Sequence, residues 1–466
     1  MNSYKYIDLF AGAGGLSLGF GNQQFHLEFA NDFGIDEIKT FKSNLKKSHP
    51  ETSAKNIVGG DIKKLSMFLS IEDLDIPQLD FIKNKMKIIL EDKNSKSDLN
   101  FYERVKKLFD SINNIDVIVG GPPCQGFSVI NKTRRQKSVS YGIDYFDPRN
   151  DLYLVFISFL NRYNPKLVLI ENVKGMTSVA NYQGMIESSL DSAGYLAGSQ
   201  ILNAKDFGIP QNRERIFFIG IKKDDALKNN ITPEQVFLKI KEYKTKQVTV
   251  GQAIDDLPII SSNHKSHNYR QEAEISFENN LSFGMDISDK VYKELLIANS
   301  GYRNVINRYR NRMKNPKYLY NHKSRYNNDR DLFIYKNLVP GKYLDDPSNE
   351  LALSKVTYGV TNENGKRKIS SFKDKYFKLD DNGVSKTILS HLEVDGNSYV
   401  HPGKNPRSIS PREAARLQSF PDWYQFKGST RKQFRQIGNA VPPLLAKIIA
   451  REFRSVLDII YSNEKK

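Results

Sequence analysis

Cys124 is the only cysteine in a chain of 466 residues, and it lies within Gly120-Gly121-Pro122-Pro123-Cys124-Gln125-Gly126-Phe127-Ser128. A single thiol cannot form an internal disulfide or a multi-cysteine metal site. As a thiolate it is a strong nucleophile once its pKa is lowered or its target is held close, whereas as a thiol it is a small buried hydrophobe. Flanking glycines and two prolines place it on a rigid turn, which favours the nucleophile. Two further groups suit covalent chemistry. Glu171 follows the run Lys166-Leu167-Val168-Leu169-Ile170, and a carboxylate there must be protonated and donating or otherwise hydrogen-bonded. Arg213 and Arg215 stand two apart, just before an expected strand over 216–219. On extended backbone they share a face, so they can address one anionic or carbonyl-bearing target or form salt bridges with acids such as Asp206.

Several elements must position these groups. The β-branched run over 115–119 reads as a buried strand that the Gly and Pro residues stop, and 166–170 reads as another. The carboxyl ends of such strands are where an open α/β sheet carries its chemistry. Residues 4–10 form an apolar strand, followed by Ala11-Gly12-Ala13-Gly14-Gly15 and then Leu16-Ser17-Leu18-Gly19-Phe20. Strand, glycine turn and helix together suit a nucleotide-type cofactor, although the spacing is neither a P-loop nor Gly-x-Gly-x-x-Gly. A strand over 25–30 ends in Asn31-Asp32-Phe33. Asp32 can accept hydrogen bonds from ribose hydroxyls while Phe33 packs on an adenine, or Asp32 can cap an exposed turn. Asp61, in Gly59-Gly60-Asp61-Ile62, is a similar strand-end acid.

Residues 63–114 carry no motif and read as surface helices and a loop inserted between core strands. The basic run Asn131-Lys132-Thr133-Arg134-Arg135-Gln136-Lys137 suits a mobile, phosphate-contacting lid beside Cys124. A helix over 150–161 presents Leu152, Val155, Phe156 and Phe159. From about 221 to 384 the periodicity weakens; over 301–342 there are 11 Lys or Arg against only Asp329 and Asp331, with tyrosines interleaved. That composition suits phosphate contacts combined with stacking on bases. Compact signals return at Ser410-Pro411-Arg412-Glu413, a capping box with proline at the first turn, and in an apolar-faced helix over 444–459.

In order, Asp8-Leu9-Phe10-Ala11-Gly12-Ala13-Gly14-Gly15, Gly121-Pro122-Pro123-Cys124-Gln125-Gly126-Phe127-Ser128, Glu171-Asn172-Val173, Gln211-Asn212-Arg213-Glu214-Arg215, Arg412-Glu413-Ala414-Ala415-Arg416-Leu417 and Gly438-Asn439-Ala440-Val441-Pro442-Pro443 resemble the motifs of the DNA (cytosine-5)-methyltransferase family. The resemblance covers roughly 1–220 and 385–455. It implies an α/β, Rossmann-like S-adenosylmethionine-dependent fold with a smaller target recognition domain. The expected division is a catalytic and cofactor-binding domain over 1–240, a variable recognition domain over 241–385, and a return to the catalytic domain over 386–466.

The resemblance implies S-adenosylmethionine as methyl donor, S-adenosylhomocysteine as product, and no metal. Phe10, Gly12, Gly14, Asp32, Phe33, Asp61, Ile62, Pro122, Leu152, Asn439 and Val441 are then the cofactor residues. Cys124 is the nucleophile toward ring carbon 6 of cytosine, and Glu171 acts at ring nitrogen 3 and the exocyclic amine. Arg215 takes the ring carbonyl, with Arg213 near it or near a phosphate. Gln125, Ser128 and Thr387 fall on the substrate side, as does Arg412, which bridges recognition domain and core. A cytosine inside a duplex must be rotated out of the stack to reach such a site.

Lys plus Arg total 70 against 53 Asp plus Glu, a formal charge of +17, which favours a polyanionic partner, although charge alone also permits an anionic membrane. No stretch approaches a membrane span or a signal-peptide core, so a bacterial cytoplasm with nucleoid association is expected. The partners expected are duplex DNA and a separately encoded cognate restriction endonuclease, with the chain acting as a monomer. Two rivals are a tRNA cytosine-5 methyltransferase and a non-catalytic DNA-binding homologue. A long basic variable region argues against the first, and intact Cys124, Glu171 and Arg215 argue against the second.

Overall fold

The computed structural model describes residues 3–21, 23–62, 65, 96–122, 152–178, 182–260, 262, 284–286, 318–356, 360–361, 367–368, 375–403 and 405–464. Cys124, Gln125, Ser128, the basic run over 131–137 and most of 63–95 lie outside the described residues. The chain forms two compact units: Met1–Leu202 with Glu214–Tyr243 and Leu445–Lys466, and Asn203–Arg213 with Lys244–Leu444.

The first unit is built on a seven-stranded sheet. Its strands are β1 (Tyr4–Leu9), β2 (Phe25–Asp32), β3 (Ile57–Gly59), β4 (Val117–Gly120), β5 (Leu167–Val173), β6 (Tyr195–Asn203) and, beyond the short β7 (Gln211–Asn212), β8 (Glu214–Lys222). The sheet order is β3-β2-β1-β4-β5-β8-β6. From β3 to β5 every pairing is parallel, and β8 alone pairs antiparallel with β5. Parallel strands are covered on both faces, so their sequences are apolar almost throughout, and all four residues of β4 are buried. This is a Rossmann-like α/β fold.

Helices α1 (Gly15–Gly21), α2 (Ile35–Ser48), α3 (Lys96–Ser111), α4 (Leu152–Tyr163) and α5 (Tyr182–Ser192) connect the strands. Phe29 of β2 meets Phe109 of α3 edge-on with ring centroids 5.0 Å apart, and Phe159 of α4 completes the cluster. In the second unit α6 (Pro411–Leu417) and α7 (Thr430–Asn439) follow, and then α8 (Pro443–Glu464), which from Leu445 onward belongs to the first unit. There α8 packs on α1 so closely that a Cβ added to Gly19 would lie 2.5 Å from the Ala446 Cβ. Near its end, Asp458 accepts from the Tyr4 hydroxyl at 2.6 Å and Tyr461 donates to Asp116. The last helix thus covers the edge where β1 and β4 begin. Among the described residues no helix is long and apolar enough to cross a membrane.

In the second unit an apolar cluster that includes Ile334, Leu344 and Val400 stands beside buried ion pairs. Arg416 is fully buried and ion-paired to Asp256 and Asp422. Burial opposes its charge, but the two carboxylates more than offset that and hold its pKa above the ordinary arginine value. Arg407 pairs with Glu413, whose side chain also closes the capping box by accepting from the Ser410 amide at 2.7 Å. These bonds join 253–256 to 407–422, so residues 386–444, expected with the catalytic domain, pack with the variable region instead.

Arg416→Ala strands two buried carboxylates and is expected to destabilise the second unit by about 3–5 kcal/mol. Urea denaturation followed by fluorescence of Trp423, the only tryptophan and a buried neighbour of Asp422, checks this. An unchanged midpoint contradicts it.

Candidate active site

The site lies at the carboxyl ends of β1, β2, β4 and β5 and the amino end of β8. The antiparallel register sets Val173 opposite Arg215 and Glu171 opposite Phe217, making Glu171 and Arg215 diagonal neighbours. Arg215 Nε lies 3.0 Å from Glu171 Oε1, with both side chains nearly buried. The guanidinium also donates from Nη1 to the Glu214 carbonyl at 2.8 Å. A partnered charge answers the requirement that a carboxylate so placed be bonded.

The loop leaving β4 passes directly over this pair. A Cβ on Gly121 would lie 3.1 Å from Glu171 Oε2, so the glycine lets the backbone come close to the carboxylate. Asn172 Nδ2 donates to the Pro122 carbonyl at 3.2 Å and anchors the loop two residues before Cys124.

Beside it, the turn after β1 bends through positive φ at Phe10 (58°), Gly12 (56°) and Gly14 (80°). Asp32 ties this turn to the one after β2, accepting from the Gly12 amide at 2.8 Å and from the Gly34 amide at 2.7 Å. Asn31 Nδ2 donates to the carbonyls of Val58 and Gly60, bringing in the end of β3. Beneath the turn Asp8 is fully buried, and Ser17 Oγ donates to its Oδ2 at 2.5 Å. Burial pushes the Asp8 carboxyl up to about 7; the Ser17 hydroxyl opposes the shift and Asp32 adds to it.

The model of the C-5 cytosine-specific DNA methylase family matches residues 4–82 and 81–455. The chain belongs to that family. Among its relatives, the type II methyltransferase M.AgeI of Thalassovita gelatinovora is 28% identical, over 97% of this chain and 99% of its own length. DNA (cytosine-5)-methyltransferase 3 of Arabidopsis thaliana is 29% identical over 97% of this chain but only 31% of its own length. A crystal structure assigned as a DNA modification methyltransferase encoded within a prophage of E. coli superposes with a TM-score of 0.58 at 26% identity, covering 98% and 100% of the two chains.

A methyltransferase of this family uses S-adenosylmethionine, and the first unit has features that fit it. A Cβ on Gly12 would meet nothing within 4 Å, which leaves open space above the turn. The Phe33 ring, 77% exposed, stands beside the strand-end carboxylate of Asp32. Asp61 is partly exposed at the end of β3, whereas Ile62 packs with Leu65 and Val105 in the core and Leu152 packs against the same cluster. Asn439 is exposed at the end of α7, and Val441 is buried in the second unit.

Arg213 and Arg412 are both buried and bonded to main-chain carbonyls. Arg213 is 2% exposed, and its guanidinium donates to the carbonyls of Ile388, Gly438 and Ala440 at 2.9–3.0 Å. Its alternation with Arg215 fails because the strand is broken: β7 ends at Asn212, β8 begins at Glu214, and the boundary between units falls between them. Arg412 is wholly buried and donates to the carbonyls of Tyr320, Pro421 and Tyr424, so it joins the variable region to the segment after α6 and cannot face substrate. Thr387 is partly exposed and donates to the Asn212 carbonyl at 2.7 Å. Asn172, Gly121 and Asp8 were not singled out from sequence, although each lies inside a quoted motif; only the structure shows what they touch.

Arg213→Ala leaves three carbonyls without donors and is expected to cost about 3 kcal/mol of stability, with methyl transfer per folded molecule retained; paired melting and rate measurements check it. For Asp8 the folded pKa lies above the unfolded one, so its favourable contribution is complete below 3.8 and is lost as pH rises to about 7. Melting temperatures across that window should fall less steeply in Asp8→Asn, which stays neutral, than in wild type. Parallel curves would contradict the assignment.

Proposed function

We propose that the enzyme methylates carbon 5 of a cytosine in one short duplex DNA sequence, through a covalent Cys124 adduct formed on a cytosine rotated out of the helix. The observation that supports this most is the Glu171–Arg215 ion pair held under the Gly121-Pro122 segment that leads to Cys124. Carbon 5 of cytosine is a poor nucleophile. Bond formation between the Cys124 sulfur and ring carbon 6 moves electron density to carbon 5. Glu171 holds ring nitrogen 3 and the exocyclic amine as charge develops there, and Arg215 holds the ring carbonyl.

Phe10, Gly12, Gly14, Asp32, Phe33 and Asp61 are the residues of the first unit that would hold S-adenosylmethionine. When bound it supplies the electrophilic methyl group and leaves as S-adenosylhomocysteine. Loss of the carbon 5 proton then lets the Cys124–carbon 6 bond break and frees the thiolate.

Gln125 and Ser128 belong to the loop that meets the rotated base, and Thr387 seats backbone on the recognition side. The variable region of the second unit carries sequence recognition, in keeping with its basic and aromatic composition. M.AgeI is named a type II methyltransferase, which supports a protective role beside a separately encoded restriction endonuclease, with the protein acting as a cytoplasmic monomer on DNA.

Base-resolution mapping of methylcytosine in DNA from a methylation-free host tests the reading. Wild type is expected to mark one short sequence, and Cys124→Ala to mark none. Marks that persist in Cys124→Ala rule out the covalent route, and marks on tRNA alone redirect the substrate.

A further inference from the structure

Past the Val173–Arg215 pair that ends the β5–β8 ladder, Lys174 and Glu214 occupy the next position on each side. Lys174 opens a 3-10 turn over Lys174–Ser178, and Glu214 is the first residue of β8. Lys174 Nζ donates to Glu214 Oε2 at 2.9 Å, with both side chains about half exposed. Exposed ion pairs of this kind add little to folding stability. What distinguishes this one is the residue it holds.

Glu214 makes two bonds of different kinds. Its carboxylate accepts from Lys174, and its main-chain carbonyl accepts from Arg215 Nη1 at 2.8 Å. With the contact from Arg215 Nε to Glu171 Oε1 at 3.0 Å, that carbonyl gives the guanidinium a second point of attachment. A planar fork held at two points cannot turn without breaking one of them. Neighbouring side chains on a strand leave it on opposite faces, so the Lys174 contact steadies Glu214 from the face of β8 opposite to Arg215. β5 ends at Val173, and the chain enters this unit only at Glu214. The ion pair therefore takes over where main-chain pairing stops.

We propose that Lys174 and Glu214 are a positioning pair for Arg215, their contact holding the Glu214 carbonyl where it orients the guanidinium toward the pyrimidine ring. This role rests on the reading that Arg215 holds the ring carbonyl of cytosine. Neither member of the pair touches substrate.

The test is single-turnover methyl transfer on the mapped duplex by wild type, Lys174→Gln, Glu214→Gln, both changes together, and the exchanged pair Lys174→Glu with Glu214→Lys. Duplex Kd, its salt dependence and melting temperature are measured beside each rate. Each single change keeps the Glu214 carbonyl and is expected to slow methyl transfer about fivefold, with Kd and melting temperature unchanged. The two glutamine changes together should cost no more than either alone, and the exchanged pair should recover most of the rate. Weaker binding by Lys174→Gln with a shallower salt dependence, uncured by the exchange, makes Lys174 a phosphate contact and overturns the proposal. Unchanged rates, additive losses, or a loss that follows a lowered melting temperature overturn it as well. Arg215→Ala that methylates as fast as wild type, or wild type that methylates no duplex, is a separate result. It removes the reading of Arg215, and the pair's role with it, whatever the pair variants do.

Discussion

The ion pair between Glu171 and Arg215 depends on the antiparallel pairing of β8 with β5. If β8 ran parallel to β5, Arg215 would lie at the opposite edge of the sheet from Glu171. With β8 reversed, its first residues reach the edge where β4 and β5 end. Two charges taken largely out of water are costly unless they pair with good geometry, so this contact constrains the strand register as well as the chemistry. The approach of Gly121 and the bond from Asn172 to Pro122 hold the end of β4 against that pair.

The turn after β1 is held in a related way. Its φ angles suit glycine at two positions, and a single carboxylate, Asp32, takes an amide from each of two neighbouring turns. Asp8 lies below, its charge disfavoured by burial and by Asp32. Helix α8 covers the other end of these strands, packing on Gly19 and bonding through Tyr4 and Asp116. Residues more than 400 positions apart therefore fix the element that carries the glycine turn.

The second unit solves a different problem. Among its described residues the strands are two or three residues long, and buried guanidiniums bonded to carbonyls and carboxylates join its segments. Such bonds are directional. They fix loop positions that apolar packing alone would leave free to slide, at a desolvation cost that only complete pairing offsets.

From sequence alone, the apolar runs, the glycine turn after β1, the Ser410 capping box and the ordered motifs identify the fold class and the family. These are local signals, because a buried parallel strand must be apolar and a positive-φ turn favours glycine wherever it occurs. What the sequence could not show is which charges meet. Arg213 and Arg215 look equivalent by spacing, yet one is buried against three carbonyls and the other pairs with Glu171. Arg412 is wholly enclosed and bonded to the carbonyls of Tyr320, Pro421 and Tyr424, partners its motif does not name. Whether a charged side chain serves structure or substrate depends on partners far away in the chain and on how much water remains around it, and only tertiary packing decides both.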